Sequence, residues 1–260
     1  YQEDNVHLYP VSSRRKGIFF AGSCHQEQDI RQTLTDASNA ALGAYQLLSG
    51  GKITVAVERV AVDPGKCALC LTCFRSCPHQ AIQTTPRSVK MVDAACQACG
   101  ICAASCPATA LSIKDGSDEQ ILAELEGSGG LSPTPFSPDI VAFCCDHSAY
   151  PAADEAGNMR IPYPENIRII RVPCVGRLNE MHILKAFEKG ADGVLVLACA
   201  EDSCHHISGS TRARERVRLA GIFLDGIGIG SGRVQMHGLG PNTAPKLAQI
   251  AHEATAKIKE

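Results

Sequence analysis

Two runs of four cysteines constrain this 260-residue chain more than any other feature. The second run repeats the spacing of the first after 29 residues, and in each run the last cysteine is followed by proline. A loop of this kind wraps three corners of a 4Fe-4S cluster, and its fourth cysteine ligates the other cluster. The sequence therefore predicts two 4Fe-4S clusters, one ligated by Cys67, Cys70, Cys73 and Cys106 and the other by Cys96, Cys99, Cys102 and Cys77.

The cysteine content of the whole chain favours metal binding over disulfides. The chain has 14 cysteines, and most of them stand in tight C-x-x-C frames, where the thiols are well placed to share a metal. Structural zinc is the alternative, but zinc sites normally use two C-x-x-C pairs that are separated by a long gap. Free thiols at this density indicate a reducing compartment, so we expect a cytoplasmic protein.

Charge and hydropathy narrow the range of partners. A formal charge of −2 gives no field strong enough to recruit nucleic acid or an anionic membrane as the main partner. No run of about 18 apolar residues occurs, so we expect no direct membrane insertion, and no signal-peptide core is present. Because the chain opens at Tyr1, we expect a processed protein or a piece of a longer one. Other proteins are the expected partners.

The region beyond residue 138 has a different pattern, in which strands alternate with helices. Residues 127–138 are rich in Gly, Ser and Pro and predict a linker. Apolar runs follow at 139–143, 167–172, 193–198 and 233–237, and the segments that suit helices are 149–157, 178–189, 211–224 and 243–259. This alternation is typical of an α/β domain with a parallel sheet.

A second group of cysteines lies at the ends of these predicted strands. Cys145, Cys174 and Cys199 each end or follow a strand, and Cys204 comes five residues after Cys199. The carboxyl ends of parallel strands meet at one edge of a sheet, where helix N-termini also favour thiolates. The pattern predicts a shared metal site that holds a cluster or zinc, while the simpler alternative is a set of small buried residues.

Residues 60–115 resemble the two-cluster bacterial ferredoxins, and residues 138–239 resemble the delta subunit of methyl-viologen-reducing hydrogenase. The second resemblance rests on the stretches Phe143–Gly157, Ile167–Arg177, Ala186–Leu197 and Cys199–Ser208. It implies a 2Fe-2S cluster ligated by Cys145, Cys174, Cys199 and Cys204. The family has a C-x-x-C pair after its first strand, but here Ser148 replaces the second cysteine and His147 the preceding tryptophan. Cys144 is a substitute ligand, and His205 and His206 are weaker ones.

The N-terminal segment resembles the last strand, loop and helix of the flavin domain in the A subunit of heterodisulfide reductase. The resemblance rests on Gly17–Ile30 and the Ala-rich helix that follows. The apolar run over 17–22 predicts a short buried strand, and the content of Ala, Leu and Gln over 28–48 predicts a helix. The resemblance implies contacts with FAD from Gly22, Ser23, Asp29 and Ile30. A G-x-G-x-x-G unit is absent from the sequence, so we expect FAD to be shared with a missing region or a partner.

Three other patterns predict ordinary structure. The alternate glycines at 226–232 follow a helix and precede a strand, which predicts a flexible turn and no phosphate loop. Cys24 is expected to be a free thiol. The remaining pattern predicts a solvated helix face, formed by Arg212, Arg214, Arg216 and Arg218.

The predicted architecture is an α+β two-cluster ferredoxin domain followed by an α/β domain, with a short flavin-domain remnant at the N-terminus. We expect the remnant at 1–52, the ferredoxin domain at 53–116 with an extended stretch over 53–62, a helix and linker at 117–138, and the delta-subunit-like domain at 139–260. The same order of parts occurs in fused relatives of the heterodisulfide reductase A subunit.

This organisation implies an electron-transfer subunit of an oxidoreductase complex, with no substrate-transforming side chain. The expected route runs from a hydrogenase or formate dehydrogenase-like donor to heterodisulfide reductase-like subunits, linked to electron bifurcation if FAD binds. A related alternative is a subunit of a quinone-interacting oxidoreductase of sulfur metabolism. Two further alternatives are a ferredoxin with a cluster-free docking domain and a zinc-stabilised scaffold.

Overall fold

A computed structural model describes residues 3–5, 9–13, 17–24, 27–51, 59–126 and 137–259. The chain divides into two compact units, Tyr1–Ala56 and Val57–Glu260. Within the described ranges, no helix combines the length and the apolar character that crossing a membrane requires.

The first unit contains a small antiparallel pair of strands and one long helix. Its elements are β1 (Glu3–Asn5), β2 (Tyr9–Ser13), a 3-10 turn (Gly22–Cys24) and α1 (Ile30–Ser49). The strand predicted over 17–22 is reduced to one bridge between Phe19 and Ser12. Gly17 and Gly22 both adopt positive φ, and this backbone conformation interrupts an extended segment on either side of Phe19.

Helix α1 confirms the predicted helix and begins at a regular N-cap. The Asp29 carboxylate accepts a hydrogen bond of 2.7 Å from the backbone N–H of Gln32. The helix exposes large apolar side chains, namely Ile30, Leu34, Leu42, Tyr45 and Leu48. An apolar helix face of this kind is normally covered by another surface.

The ferredoxin-like part of the second unit repeats its backbone as well as its cysteines. Its elements are β3 (Val60–Val62), α2 (Thr72–Ser76), β4 (Ile82–Thr84), β5 (Val89–Met91), α3 (Ile101–Ala104) and β6 (Leu111–Ile113). Strands β3 and β6 pair antiparallel, as do β4 and β5. The extended stretch predicted over 53–62 is a strand only at β3, and residues 52–58 lie outside the described ranges.

Positive φ angles show how the repeat shapes the two cysteine loops. They occur in three pairs, each separated by 29 residues: Leu69 and Ala98, Leu71 and Gly100, and Gln80 and Thr109. Left-handed residues at these points let each loop turn sharply, so that successive amides and thiols point inward. The internal repeat seen in the sequence is therefore also a repeat of backbone conformation.

The remaining elements of the second unit form a four-stranded parallel sheet with helices on both faces. They are α4 (Asp118–Glu126), β7 (Ile140–Cys145), α5 (Ala149–Asn158), β8 (Ile167–Val172), α6 (Glu180–Glu188), β9 (Gly193–Cys199), α7 (Gly209–Gly226), β10 (Val234–Leu239) and α8 (Ala244–Lys259). The strand order is β10-β9-β7-β8. All neighbouring pairs are parallel, which confirms the predicted sheet.

The helices cover the sheet in two layers, each with its own apolar core. Helices α5 and α8 pack on one face, and α6 and α7 pack on the other. Helix α4 joins the second layer, where Ile121 and Leu125 are buried. The Gly/Ser/Pro segment predicted as a linker lies almost entirely outside the described residues, at 127–136.

A buried arginine joins the ferredoxin-like part to the sheet. The Arg177 side chain is 1% exposed, and its guanidinium donates to the Gly116 carbonyl (3.0 Å) and to the Asp118 carboxylate (2.5 Å). His182 Nε2 also lies 2.8 Å from that carboxylate. The hydrogen bond with His182, and to a smaller extent the one from Arg177, hold the pKa of Asp118 well below its usual range. A methyl group at Gly100 would overlap Arg177, so glycine is required there.

Arg216 corrects the prediction of a solvated arginine face. Its guanidinium donates to the carbonyls of Gly176 and Leu178 at 2.7 and 2.5 Å, and to Ser105 Oγ at 3.0 Å. It therefore bridges the second cysteine loop and the segment after β8. Sequence spacing did not reveal this role because it depends on how α7 packs in three dimensions. The glycine-rich segment follows a helix and precedes a strand, as predicted: Gly226 ends α7, and the glycines after it lead to β10.

Candidate metal centres

The first cysteine centre is a small cavity in the ferredoxin-like part. Four thiols line it, those of Cys67, Cys70, Cys73 and Cys106. Burial raises the pKa of Cys73, and the other three thiols of the set raise it further. Cys106 Sγ also accepts a hydrogen bond of 3.3 Å from the Ala110 N–H. The structure thus brings together one of the predicted ligand sets, and ligation itself stays a prediction.

The second centre groups Cys77 with the later cysteine run, Cys96, Cys99 and Cys102. Burial raises the pKa of Cys99 to about 12, with Cys77 and Cys96 adding to the effect. Cys77 Sγ accepts a hydrogen bond of 3.4 Å from the Ala81 N–H, which matches the bond at Cys106 in the first centre. Amide donors to sulfur stabilise the negative charge that thiolates and clusters carry.

The third group of thiols lies at the carboxyl edge of the sheet, where the sequence predicted it. Cys145 and Cys199 end the neighbouring strands β7 and β9, and their Sγ atoms lie 3.5 Å apart. Two thiolates on one tetrahedral metal, with metal–sulfur bonds of about 2.3 Å, lie about 3.7 Å apart. Cys204 adjoins Cys199, and their mutual contact, followed by burial, raises the pKa of Cys204.

Cys174 completes this four-thiol edge from the loop after β8. It is fully buried, and burial together with Cys99, Cys204 and Cys199 raises its pKa well above the usual value. Gly209, the first residue of α7, packs directly on Cys174 Sγ, and an added methyl group would overlap that atom and lie 3.4 Å from Cys204 Sγ. The backbone N–H groups of Gly176 and Ser210 donate to Cys174 and Cys204, both at 3.4 Å.

The structure distinguishes Cys145 from Cys144. Neighbouring residues in a strand point to opposite faces. Cys145 faces the layer that contains Cys199 and Cys204, whereas Cys144 is buried in the layer of α5 and α8. Burial alone raises the pKa of Cys144 to about 12. Cys144 is therefore separated from the four-thiol edge by the sheet itself.

Ser148 occupies the position that the family pattern gives to a cysteine. Its side chain is buried, and its hydroxyl lies beside Cys199. The hydrogen bond with Cys145 is the largest cause of the rise in the pKa of Cys199 to about 11, whereas the nearby Ser148 hydroxyl lowers this pKa. The Ser148 hydroxyl has no hydrogen-bond partner among the described residues, so it is available to donate to a sulfur atom at this edge.

The second and third centres lie next to each other. Cys99, Ile101 and Cys174 form one buried apolar cluster. After burial, the charge interaction with Cys99 is the largest cause of the raised pKa of Cys174. Gly176 also packs on Ile101, since a methyl group added at Gly176 would lie 2.9 Å from Ile101 Cγ1. The two cysteine sets are thus adjacent and separated by apolar side chains.

The predicted flavin contacts lie in the first unit. Gly22 and Ser23 belong to the 3-10 turn, while Asp29 and Ile30 stand at the start of α1. The Asp29 carboxylate is already engaged in capping that helix. Cys24 is exposed, as expected of a free thiol, and its Sγ lies 3.1 Å from the Ala21 carbonyl oxygen.

Sequence reasoning missed several residues of these centres. Arg177 could have been found from the sequence because it follows Cys174 by three residues. Gly209 could have been found because it stands just before the predicted helix that follows Cys204. His79 follows the Cys77-Pro78 pair, and its Nε2 lies 3.0 Å from His206 Nδ1. His206 is buried rather than at the surface, and burial lowers its pKa to about 2.

Comparison with protein families identifies both parts of the second unit. Residues 140–260 match the family described as methyl-viologen-reducing hydrogenase, delta subunit. Residues 59–82 match the 4Fe-4S binding domain family. The second match covers the first of the two cysteine runs, which therefore carries a 4Fe-4S family motif.

Individual relatives agree with these matches. The chain is 35% identical over 97% of its length to the A subunit of ferredoxin:CoB-CoM heterodisulfide reductase from Methanosarcina mazei, and it spans 32% of that relative. The corresponding protein from Methanosarcina acetivorans gives the same values. The iron-sulfur D subunit of the F420-non-reducing hydrogenase vhu from Methanocaldococcus jannaschii is 41% identical over 48% of the chain, which covers 93% of that relative. The chain therefore belongs to the hydrogenase delta-subunit family, and its delta-subunit domain is joined to an iron–sulfur region like that of the heterodisulfide reductase A subunit.

Proposed function

We propose that this chain relays electrons through two 4Fe-4S clusters and one 2Fe-2S cluster within a larger oxidoreductase complex. The observation that carries the proposal is the buried apolar cluster of Cys99, Ile101 and Cys174, which places two separate cysteine sets next to each other. Electron transfer between iron–sulfur clusters requires that they be close and shielded, and needs no substrate-transforming side chain.

In this proposal the three thiol sets hold the clusters. The 4Fe-4S ligands are Cys67, Cys70, Cys73 and Cys106 in one set and Cys96, Cys99, Cys102 and Cys77 in the other, and the 2Fe-2S ligands are Cys145, Cys174, Cys199 and Cys204. The close Sγ atoms of Cys145 and Cys199 and the tight packing of Gly209 against Cys174 support the third set. The clusters, when bound, supply the one-electron chemistry.

The protein's own residues position and tune these groups. Amides of Gly176 and Ser210 donate to two thiols of the four-thiol edge, and α7 directs its N-terminus toward the same thiols. Arg216 is half-buried and close enough to Cys174 for their charges to interact, and Arg177 adds a buried positive charge nearby. Positive charge and amide donors both favour the reduced, more negative state of a cluster.

We further propose that the four-thiol edge exchanges electrons with a hydrogenase or formate dehydrogenase-like donor, and that the ferredoxin-like part passes them to heterodisulfide reductase-like subunits in the cytoplasm. The names of the relatives support complexes of the hydrogenase and heterodisulfide reductase kinds. The exposed apolar face of α1 supports a surface for a further partner. In this proposal, FAD is shared between the first unit and that partner, and electron bifurcation takes place there if FAD binds.

Quantitation of iron, sulfide, zinc and flavin in the anaerobically purified chain tests this proposal. Three clusters predict about ten irons and about ten sulfides per chain. About eight irons and no 2Fe-2S signal in low-temperature EPR would instead show a ferredoxin with a cluster-free docking domain. Stoichiometric zinc in place of the 2Fe-2S iron would show a zinc-stabilised scaffold, and either result would contradict the relay.

A further inference from the structure

Three imidazoles gather beside the four-thiol edge without belonging to it. His147 lies in the loop after β7, and His205 and His206 lie in the loop after Cys204. One ring nitrogen from each of the three lies within 4.8 Å of the others. Both loops leave the carboxyl edge of the sheet, so neighbouring strands bring the three rings together.

The rings have a defined arrangement. His147 and His205 stack with their centroids 3.6 Å apart and their planes 15° apart. His206 meets both of them edge-on, at 5.1 and 4.7 Å between centroids. Side chains in contact from two separate loops form a cluster that the fold maintains, rather than three independent surface residues.

His206 is the fixed member of the cluster. It is buried, and its Nδ1 lies 3.0 Å from Nε2 of His79, which itself is buried in the ferredoxin-like part. This bond occupies Nδ1 and leaves Nε2 for a second partner. Metal-ligating histidines are held in this way, with one ring nitrogen on the metal and the other on an orienting group.

His147 is the exposed member and provides the entrance. Its side chain is exposed, so an ion can reach the cluster from solvent. A metal lies in the plane of each imidazole that binds it, and two stacked rings do not share such a position. The His147 ring must therefore turn about its side-chain torsions on binding, and its exposure permits that movement.

We propose that His147, His205 and His206 bind one divalent late transition ion of the Zn²⁺ class, with His79 as the orienting partner of His206. Three imidazoles and one open position suit Zn²⁺, Ni²⁺ and Cu²⁺ better than the hard ions Mg²⁺ and Ca²⁺. His147 stands where the family pattern has tryptophan, so the site depends on a residue that departs from that pattern. A bound ion ties the loop after Cys145 to the loop after Cys204, and so closes the outer side of the four-thiol edge.

Zinc binding to the iron-loaded full chain tests this inference. The chain is dialysed anaerobically against Zn²⁺, zinc and iron are measured in the same sample, and the zinc ligands are determined by X-ray absorption. We expect one zinc per chain with nitrogen or oxygen neighbours at about 2.0–2.1 Å and no sulfur neighbour. His147→Ala should weaken zinc binding at least tenfold and leave the iron content unchanged.

His252→Ala is the matched control, because His252 is also exposed but lies on α8. It should leave zinc binding unchanged. Zinc with sulfur neighbours at about 2.3 Å would mean that the ion occupies a thiol set, and would overturn the inference. The absence of bound zinc, or equal binding by both variants, would also overturn it. Loss of iron in His147→Ala would assign the histidines to the cluster instead, whereas the iron count of the parent chain tests the relay separately.

Discussion

Replacing Cys145 by alanine should remove the 2Fe-2S cluster and leave both 4Fe-4S clusters intact. Cys145 contributes one of four thiols at the sheet edge, and its Sγ lies 3.5 Å from that of Cys199. Three thiols do not complete the ligand set, so iron should fall from about ten to about eight per chain. Iron analysis and low-temperature EPR of Cys145→Ala measure both effects.

The neighbouring cysteine provides the control for this experiment. Cys144 is equally buried but faces the opposite side of the sheet, so Cys144→Ala should keep all of the iron. The lost sulfur leaves only a small void, with an expected cost of about 1 kcal/mol in unfolding free energy. If Cys144→Ala lost iron and Cys145→Ala kept it, the assignment of the two cysteines would be reversed.

Gly209→Ala should abolish the same cluster although all four thiols are retained. The added methyl group would overlap Cys174 Sγ and crowd Cys204 Sγ. Gly209 is the first residue of α7. Because Cys174, Cys204 and Ser210 around it are all buried, the thiols have little room to move away from an added methyl group. The expected result is the loss of the 2Fe-2S EPR signal together with about two irons, while the 4Fe-4S signals remain.

The last residue of the same helix gives a matched substitution. A methyl group added at Gly226 meets nothing within 4 Å, so Gly226→Ala should keep every cluster. Because alanine favours helix over glycine, its thermal unfolding temperature should be equal or higher. A Gly209→Ala chain with full iron and an unchanged 2Fe-2S signal would show that the cluster does not lie against this helix.

The sequence predicted the sheet well because its two central strands are fully buried. Strands β7 and β9 read as continuous apolar runs, and such runs are typical of parallel strands that are covered on both faces. The strand over 17–22 was predicted too long, since the apolar pattern does not show the backbone interruption at Gly17 and Gly22. The pattern of apolar residues in the sequence therefore located strands best where the whole strand is buried.

The candidate site was predictable in its thiols and not in its surroundings. Strand ends and the parallel sheet were enough to bring Cys145, Cys174 and Cys199 to one edge. The choice between Cys144 and Cys145 depended on which face of the sheet receives α6 and α7, and sequence periodicity alone does not give this. Arg216 was expected on a solvated face, because its burial depends on a contact with Ser105 more than 100 residues earlier in the chain.

The relay itself is tested most directly by spin coupling between the clusters in the intact chain. At a potential where only the 2Fe-2S cluster is reduced, its EPR signal should relax as an isolated centre does. Full reduction should then make the signal relax faster and broaden, because Cys99 and Cys174 place a second paramagnetic cluster beside it. A 2Fe-2S signal whose relaxation is the same in both states would contradict the proximity of the two cysteine sets on which the proposed electron path depends.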